Sequence, residues 1–265
     1  MDRMRMDTMI RNSNALVLAA LLLVVTSCSP QIAPPPLPSP TQPPTDAPRA
    51  SATPSPTLPS VPMLFDDFSS SALSPMAWSA PYSDAPSDFE HAVVQGELHV
   101  QRRSGSNPAG YEFHLLPSNR SPLSVVFFQA TMSVDREGAR GFGFVKIQHY
   151  AQIPGGTWWT QCRLGNSLDA AQVTFLCDVY RPGPELEYAT DEVSIDFGTP
   201  HVAAIEIEPD TLQLHYYLDG ELLGEYTPLD AAWLRTAGFE PIVGLWTSAE
   251  ASISARIDEV WITQP

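Results

Sequence analysis

Residues 63–265 form short runs in which apolar and polar residues alternate, separated by turn residues. Clear examples are Gly141–Tyr150 and Ala203–Glu208, and alternation of period two is typical of strands with one buried face. Asp219-Gly220 lies between two such runs and is a strong hairpin signal, whereas only Pro228–Thr236 suggests a short helix. The pattern predicts an all-β domain, a two-sheet antiparallel jelly-roll β-sandwich, with a strongly curved barrel as the alternative.

The first 27 residues have the features of a secretory signal peptide. Arg3, Arg5 and Arg11 precede the apolar run Ala15–Val25, which at about 1.5 Å per residue is too short to span roughly 30 Å of hydrocarbon. The sequence Val25-Thr26-Ser27-Cys28 resembles the lipobox of bacterial lipoproteins. The resemblance implies that residues 1–27 are cleaved and that lipidated Cys28 anchors the protein in the membrane. The location implied is the extracytoplasmic face of the bacterial cell envelope. An ordinary signal peptide with a chance cysteine, or an uncleaved N-terminal anchor, are the alternatives.

Residues 28–62 separate this signal from the alternating region and are rich in proline. Thirteen of the 27 prolines fall within residues 29–62, a composition that favours extended polyproline II and cannot build a packed core. We therefore expect a disordered tether between Cys28 and the β-sandwich of residues 63–265. A proline-rich ligand for a partner domain is the alternative.

The charge of the predicted sandwich excludes one class of partner. Residues 63–265 contain 10 basic and 27 acidic residues, a net charge of −17. A nucleic-acid-binding surface needs a basic patch that neutralises phosphates. We therefore expect no nucleic acid partner.

The remaining two cysteines predict a disulfide. Cys162 and Cys177 lie on two predicted strands, and an exported protein folds in an oxidising compartment, where an even number of cysteines generally pairs. Closing this loop stabilises a fold by about 3 kcal/mol.

Three segments of the sandwich resemble concanavalin A-like lectin/glucanase domains, which include laminin-G-like modules, family 16 glycoside hydrolases and 3-keto-disaccharide hydrolases. They are Leu64–Phe68 with Trp78, the run from Ile205 to Gly224 with its Leu-Asp-Gly turn, and Ile257–Ile262. The resemblance implies a concanavalin A-like sandwich whose first and last strands pair.

That pairing brings acidic residues from both ends of the domain together. Asp66, Asp67 and Asp258 would then lie near Glu259, and such carboxylates repel one another unless a cation or backbone donors neutralise them. Carboxylate oxygens suit Ca²⁺, and the resembling domains often carry a structural calcium near this strand pair. We therefore predict a Ca²⁺ site at Asp66, Asp67 and Asp258; the alternative is that these acids are solvated strand residues.

The sequence contains no recognisable catalytic motif. A family 16 hydrolase would carry Glu-x-Asp-x-(x)-Glu on one strand, with carboxylates spaced for a retaining mechanism. The nearest segments, Glu185-x-Glu187, Asp191-Glu192 and Glu206-x-Glu208, lack this pattern. The histidines have no metal-ligand spacing, and no Gly-x-Ser-x-Gly elbow occurs.

A group of aromatic, amide and guanidinium side chains indicates a ligand-binding surface instead. Successive strand residues point to opposite faces, so one indole of Trp158-Trp159 should enter the core and the other should face outward. The candidate ligand-binding residues on neighbouring predicted strands are Gln148, Tyr150, Trp158, Trp159, Gln161 and Arg163. The alternative is that both tryptophans anchor the core.

These observations favour a surface-anchored lipoprotein with a non-catalytic module that binds glycans or another extracytoplasmic ligand. One alternative is a glycoside or 3-keto-sugar hydrolase of the concanavalin A-like superfamily. A second alternative is a structural or protein-interaction module.

Overall fold

Two antiparallel sheets pack face to face in the computed structural model, which describes residues 63–103, 111–118 and 126–263. The segments predicted as signal peptide, lipidation site and tether (residues 1–62) lie outside the described residues. Within the described ranges, no helix is both long and apolar enough to cross a membrane.

Sheet 1 contains eight strands in the order β14-β13-β12-β6-β16-β4-β3, with β1 also paired to β16. Its strands are β1 (Met63–Asp66), β3 (Phe89–Val94), β4 (Glu97–Arg102), β6 (Phe127–Val134), β12 (His201–Ile207), β13 (Leu214–Leu218), β14 (Glu221–Tyr226) and β16 (Ile253–Thr263). The first and last strands pair, with Met63 opposite Ile262, as the sequence predicts.

Sheet 2 also contains eight strands, in the order β10-β9-β8-β7-β15-β5-β2, with β11 paired to β9. Its strands are β2 (Tyr82–Ser83), β5 (Tyr111–Leu115), β7 (Phe142–Ile153), β8 (Gly156–Ser167), β9 (Val173–Arg181), β10 (Glu185–Ala189), β11 (Val193–Ile195) and β15 (Glu240–Thr247). The predicted helix is present as α1 (Ala231–Ala237), and a short 3-10 helix covers Pro86–Asp88. The prediction of a two-sheet jelly-roll sandwich is confirmed.

The core lies between the two sheets and is built from alternate residues of their strands. On β16, for example, Ile253, Ala255 and Ile257 are buried, while the residues between them are more exposed. Burial of such apolar side chains contributes about 25 cal/mol per Å² removed from water. The alternation seen in the sequence therefore corresponds to the inner and outer faces of the sandwich.

A disulfide joins Cys162 of β8 to Cys177 of β9 within this core. The two residues are direct cross-strand partners, and neither is exposed to solvent. The covalent link therefore fixes β8 against β9 at the middle of sheet 2, in agreement with the sequence-based prediction.

His149 is a polar residue inside the otherwise apolar core. It is fully buried and its ring lies 5.4 Å from that of Phe128 and 6.0 Å from that of Phe239. Neither ring nitrogen has a hydrogen-bond partner among the described residues. Burial lowers the pKa of His149 to about 3, because the core disfavours the charged imidazolium.

This burial predicts a loss of stability in acid. Below the pKa of an unfolded histidine, about 6.5, the unfolded chain binds a proton that folded His149 does not. The free energy of unfolding should therefore fall by up to about 1.4 kcal/mol per pH unit between pH 6.5 and 3 because of this residue. Urea unfolding of the oxidised protein at pH 7.5 and pH 5 should show a smaller acid loss in His149→Leu than in the wild type. His91→Leu, which replaces an exposed histidine of β3, is the control. Equal acid losses in the wild type and His149→Leu would contradict the prediction.

Candidate functional site

An open cleft of about 810 Å³ lies on the face of sheet 2 that points away from the core. Its floor is formed by the central strands β5, β15, β7 and β8, with contributions from β2 and β9. The lining side chains are Tyr82, Glu112, His114, Leu116, Phe142, Phe144, Lys146, Gln148, Tyr150, Gln152, Thr157, Trp159, Gln161, Arg163, Tyr180, Ile242 and Trp246.

The register of the strands arranges these side chains in rows across the sheet. Phe144 is opposite Trp246, and Lys146 is opposite Arg163. Further along β7, Gln148 is opposite Gln161 and Tyr150 is opposite Trp159. The cleft floor therefore changes along β7 from aromatic to charged, then to amide, and then to aromatic again.

Both ends of the cleft carry flat aromatic surfaces. At one end the rings of Phe144 and Trp246 stack with centroids 5.3 Å apart and planes 18° apart. At the other end Trp159 stacks on Tyr180 at 5.0 Å and 19°. The two ends are six residues apart along β7, a distance of about 20 Å in an extended strand. The cleft is therefore long enough for a chain-like ligand that contacts both aromatic ends.

Two ion pairs occupy the floor between the aromatic ends. Lys146 Nζ lies 3.2 Å from Glu112 Oε1, and Arg163 Nε lies 3.0 Å from Asp178 Oδ2. Arg163 also lies over the ring of Phe144, with its guanidinium carbon 4.9 Å from the ring centroid. Because each cation faces a carboxylate, the floor carries charge-assisted donors with no net charge.

Burial shifts the pKa values of this floor. Burial lowers the pKa of Lys146 against the opposing effect of Glu112, and it raises the pKa of Asp178 against the opposing effect of Arg163. For Glu112, burial acts to raise the pKa, but the charge of Lys146 and its hydrogen bond help to hold the pKa below its usual value. Burial, helped by Lys146, lowers the pKa of His114 to about 4, so this ring is neutral at pH 7.

Gly244 has no side chain, and the ring of His114 lies in the space that a side chain there would occupy. It is the cross-strand partner of both Lys146 and His114. A Cβ atom at Gly244 would lie only 2.6 Å from the carbonyl oxygen of Phe113 and 3.0 Å from Cδ2 of His114. A side chain at this position would therefore displace His114, whose Nε2 lies 3.2 Å from Oε2 of Glu112.

Five of the six predicted ligand-binding residues lie together in the cleft: Gln148, Tyr150, Trp159, Gln161 and Arg163. Trp158 requires a correction. It is fully buried between the sheets, with its ring 5.7 Å from that of Phe239. Adjacent strand residues point to opposite faces, so Trp158 belongs to the core and only Trp159 faces the cleft.

Sequence reasoning missed the other aromatic end and the charged floor. Phe142, Phe144 and Lys146 occupy the same face of β7 as Gln148, so extending the alternation along that strand would have found them. Trp246 and Glu112 gave no such signal. They enter the cleft because β15 inserts between β5 and β7, strands that are distant from it in the chain.

The predicted calcium residues lie near the β1–β16 pair. Asp66 accepts hydrogen bonds from the indole N–H of Trp78 at 2.6 Å and from the backbone N–H of Phe68 at 2.8 Å, so both of its oxygens already have donors. Asp67 accepts from Ser69 N–H, and Asp258 accepts from Glu259 N–H. Across the described ranges, no three His, Cys, Asp or Glu side chains gather closely enough to hold a metal. Calcium binding by Asp66, Asp67 and Asp258 stays a prediction.

Comparisons with known proteins identify the fold and do not identify a family. No protein family matches the chain, and no curated protein matches it either.

Solved structures do match the sandwich. The catalytic domain of an endo-1,3-β-glucanase (laminarinase) from Thermotoga petrophila superposes with a TM-score of 0.55 at 13% identity, covering 77% of this chain and 98% of that one. A mutant of a non-specific endo-β-1,3(4)-glucanase of glycoside hydrolase family 16, co-crystallised with a glucan oligosaccharide, gives a TM-score of 0.58 at 13% identity and covers 79% and 97%. A LamA mutant from Zobellia galactanivorans in complex with laminaritriose and laminaritetraose gives 0.53 at 12% identity, covering 75% and 97%. Likeness at this identity establishes the jelly-roll fold.

Proposed function

We propose that the domain of residues 63–265 binds a carbohydrate chain in the cleft of sheet 2 and acts as a non-catalytic glycan-binding module. The observation that carries this proposal is the pair of aromatic surfaces with amide and charged donors between them. Aromatic rings offer flat apolar faces on which the C–H face of a sugar packs. Side-chain amides and guanidinium groups donate and accept hydrogen bonds in the geometry that hydroxyl groups require.

The two glutamines of the cleft are closely packed before a ligand binds. Gln148 and Gln161 are cross-strand partners and are 8% and 6% exposed, so both side chains are packed among their neighbours. Side chains that are already ordered lose little conformational entropy on binding. The solved structures with the same fold include two complexes with glucan oligosaccharides, which makes laminaritetraose a suitable first probe.

The carboxylates of the cleft support binding over hydrolysis. A retaining glycosidase uses two carboxyl groups about 5–5.5 Å apart. Glu112 is the sole carboxylate among the described side chains that line the cleft. Asp178 is only 1% exposed and is engaged by Arg163. Residues 104–110 and 119–125, which flank β5, contain no Asp or Glu.

The aromatic ends provide a direct test of binding. Trp159→Ala and Trp246→Ala should each weaken the affinity for laminaritetraose about tenfold, which corresponds to about 1.4 kcal/mol, because each removes a stacking surface. Isothermal titration calorimetry on the full chain measures the effect. Trp233→Ala is the matched control, since Trp233 of α1 is a half-exposed tryptophan outside the cleft.

The binding proposal fails if a glycan array finds no ligand for the wild type. It also fails if Trp233→Ala weakens binding as much as the cleft substitutions do.

Glycoside hydrolysis is the second candidate. It is favoured by the glucanases among the solved structures of the same fold and by the position of Glu112 in the cleft. The lowered pKa of Glu112 keeps it ionised at neutral pH, a state that suits a nucleophile or base but not a general acid.

If the chain hydrolyses laminarin through Glu112, the wild type should release reducing ends and Glu112→Gln should lower the rate by at least about a hundredfold. The amide keeps the shape of the side chain but cannot act as base or nucleophile. A reducing-sugar assay measures both. Absence of release by the wild type overturns this candidate, and equal rates in the two proteins exclude Glu112 as the catalytic group.

We also propose that the protein is a lipoprotein anchored through Cys28 on the extracytoplasmic face of a bacterial envelope. The support is the order of positive charge, apolar run, lipobox and proline-rich segment in residues 1–62. Acyl chains on Cys28 would bind the bilayer with about 0.8 kcal/mol per buried methylene.

Substitution of the acylated residue tests this anchoring. In bacteria expressing the full chain, Cys28→Ala should abolish incorporation of labelled palmitate and move the protein out of the membrane fraction. Ser29→Ala, at the next position, should leave both unchanged. Persistence of the label in Cys28→Ala would contradict lipidation at this residue.

A further inference from the structure

Lys146 is the only lysine in the chain, and it lies in the floor of the cleft. Its side chain is 3% exposed. Lysine is a strongly hydrated residue that proteins usually leave at the surface. Residues 63–265 contain 27 acidic and 10 basic residues, and the other nine basic residues are arginines, so the buried position of this single amine is unusual.

Burial and the neighbouring Arg163 favour the neutral form of the Lys146 amine, whereas the Glu112 carboxylate favours its ammonium form. Arg163 of β8 is its cross-strand partner and Glu112 of β5 contacts Nζ at 3.2 Å. His114 of β5 lies beside Glu112. Asp178 of β9 lies 3.0 Å from Arg163 Nε through its Oδ2, and the residue of β15 opposite Lys146 is Gly244. A desolvated lysine next to another cation readily loses its proton.

We propose that the Nζ amine of Lys146 captures carbonyl groups of sugar-sized aldehydes or ketones, such as the open-chain reducing end of an oligosaccharide, as a reversible imine. The sugar part of this inference rests on the proposed function of the cleft. The amide row of Gln148 and Gln161 and the ring of Phe144 lie on either side of Lys146 along β7, so a sugar bound on them would present its terminal carbon to the amine.

Formation of the imine requires no oxidant or reductant. Glu112 accepts a proton from the Lys146 ammonium, and the neutral amine attacks the carbonyl carbon, forming the C–N bond while the C=O π electrons move to oxygen. That oxygen takes the proton back from Glu112 as a hydroxyl. It then leaves as water with a second proton, which the nitrogen gives up through Glu112. The net change converts an ammonium and a carbonyl into a protonated imine and one water.

Burial supports this assignment because it lowers the pKa of Lys146. A larger fraction of neutral amine is therefore present near pH 7 than for a solvated lysine. His114, neutral at this pH, adds no further positive charge to the floor.

Reductive trapping with a small probe tests the amine directly. The full chain is incubated at pH 7 with glycolaldehyde and sodium cyanoborohydride, and peptide mass spectrometry locates the reduced adduct. Because the chain has one lysine, every lysine adduct of the wild type is on Lys146. Arg103→Lys places an ordinary lysine at a position 70% exposed and serves as the internal reference. We expect Lys146 to react at least about tenfold faster than this reference lysine.

Two further variants test the roles of the amine and of Glu112. Lys146→Arg keeps the positive charge and removes the one lysine, so it serves as the blank for adducts at other groups. Glu112→Gln should slow adduct formation, because the amide cannot carry the protons; a faster reaction would overturn the role of Glu112. Reaction of Lys146 slower than the reference lysine, or no adduct on it, overturns the inference.

Laminaritriose reduced to its alditol, which has no carbonyl, separates this inference from the glycan-binding proposal. Protection of Lys146 by the alditol, with binding seen by calorimetry, supports both. Binding of the alditol without any Lys146 adduct overturns the reactive amine and leaves the glycan cleft intact. If calorimetry shows no binding of the alditol, and the alditol does not slow adduct formation on Lys146, the glycan-binding proposal for the cleft is overturned.

Discussion

The twelve-residue antiparallel pairing of β7 with β8 is the constraint on which the cleft depends. It runs in unbroken register from Phe142 opposite Ser167 to Ile153 opposite Gly156. Because side chains alternate across a strand, this single register decides which residues enter the core and which enter the cleft. A slip of one residue would exchange the two sets. The disulfide between Cys162 and Cys177 fixes the register of β8 against β9, its other neighbour.

The same constraint explains how charged groups come to lie on a nearly buried floor. A cation held at 3% exposure costs several kcal/mol of lost hydration unless a counter-charge and hydrogen bonds replace the water. Lys146 has Glu112 for this purpose, and Arg163 has Asp178. These ion pairs keep the floor neutral and rigid, while burial shifts the pKa values of Lys146 and Asp178. Such perturbed groups are concentrated at functional sites in proteins, which is why the cleft rather than the charged outer surface carries the functional proposals.

Much of the fold and the β7–β8 part of the site could be predicted from local patterns. The strand pair around Pro154-Gly155 is local in sequence, so alternation alone placed Gln148 and Gln161 on one face and separated Trp158 from Trp159. The error at Trp158 arose because both indoles were assigned to the ligand although period-two alternation allows only one. Trp246 and Glu112 could not be predicted, because their strands join β7 through long-range pairing that leaves no local pattern.

The sequence by itself determined the sandwich, the disulfide and the shared face of Gln148 and Gln161, since each depends on alternation or on residue type. Only the tertiary structure decided that β15 and β5 continue the floor, and thereby that Trp246 faces Phe144 and Glu112 meets Lys146. The physical reason is that strand order is set by the summed burial of both sheets against one core. No single segment of the sequence contains that sum.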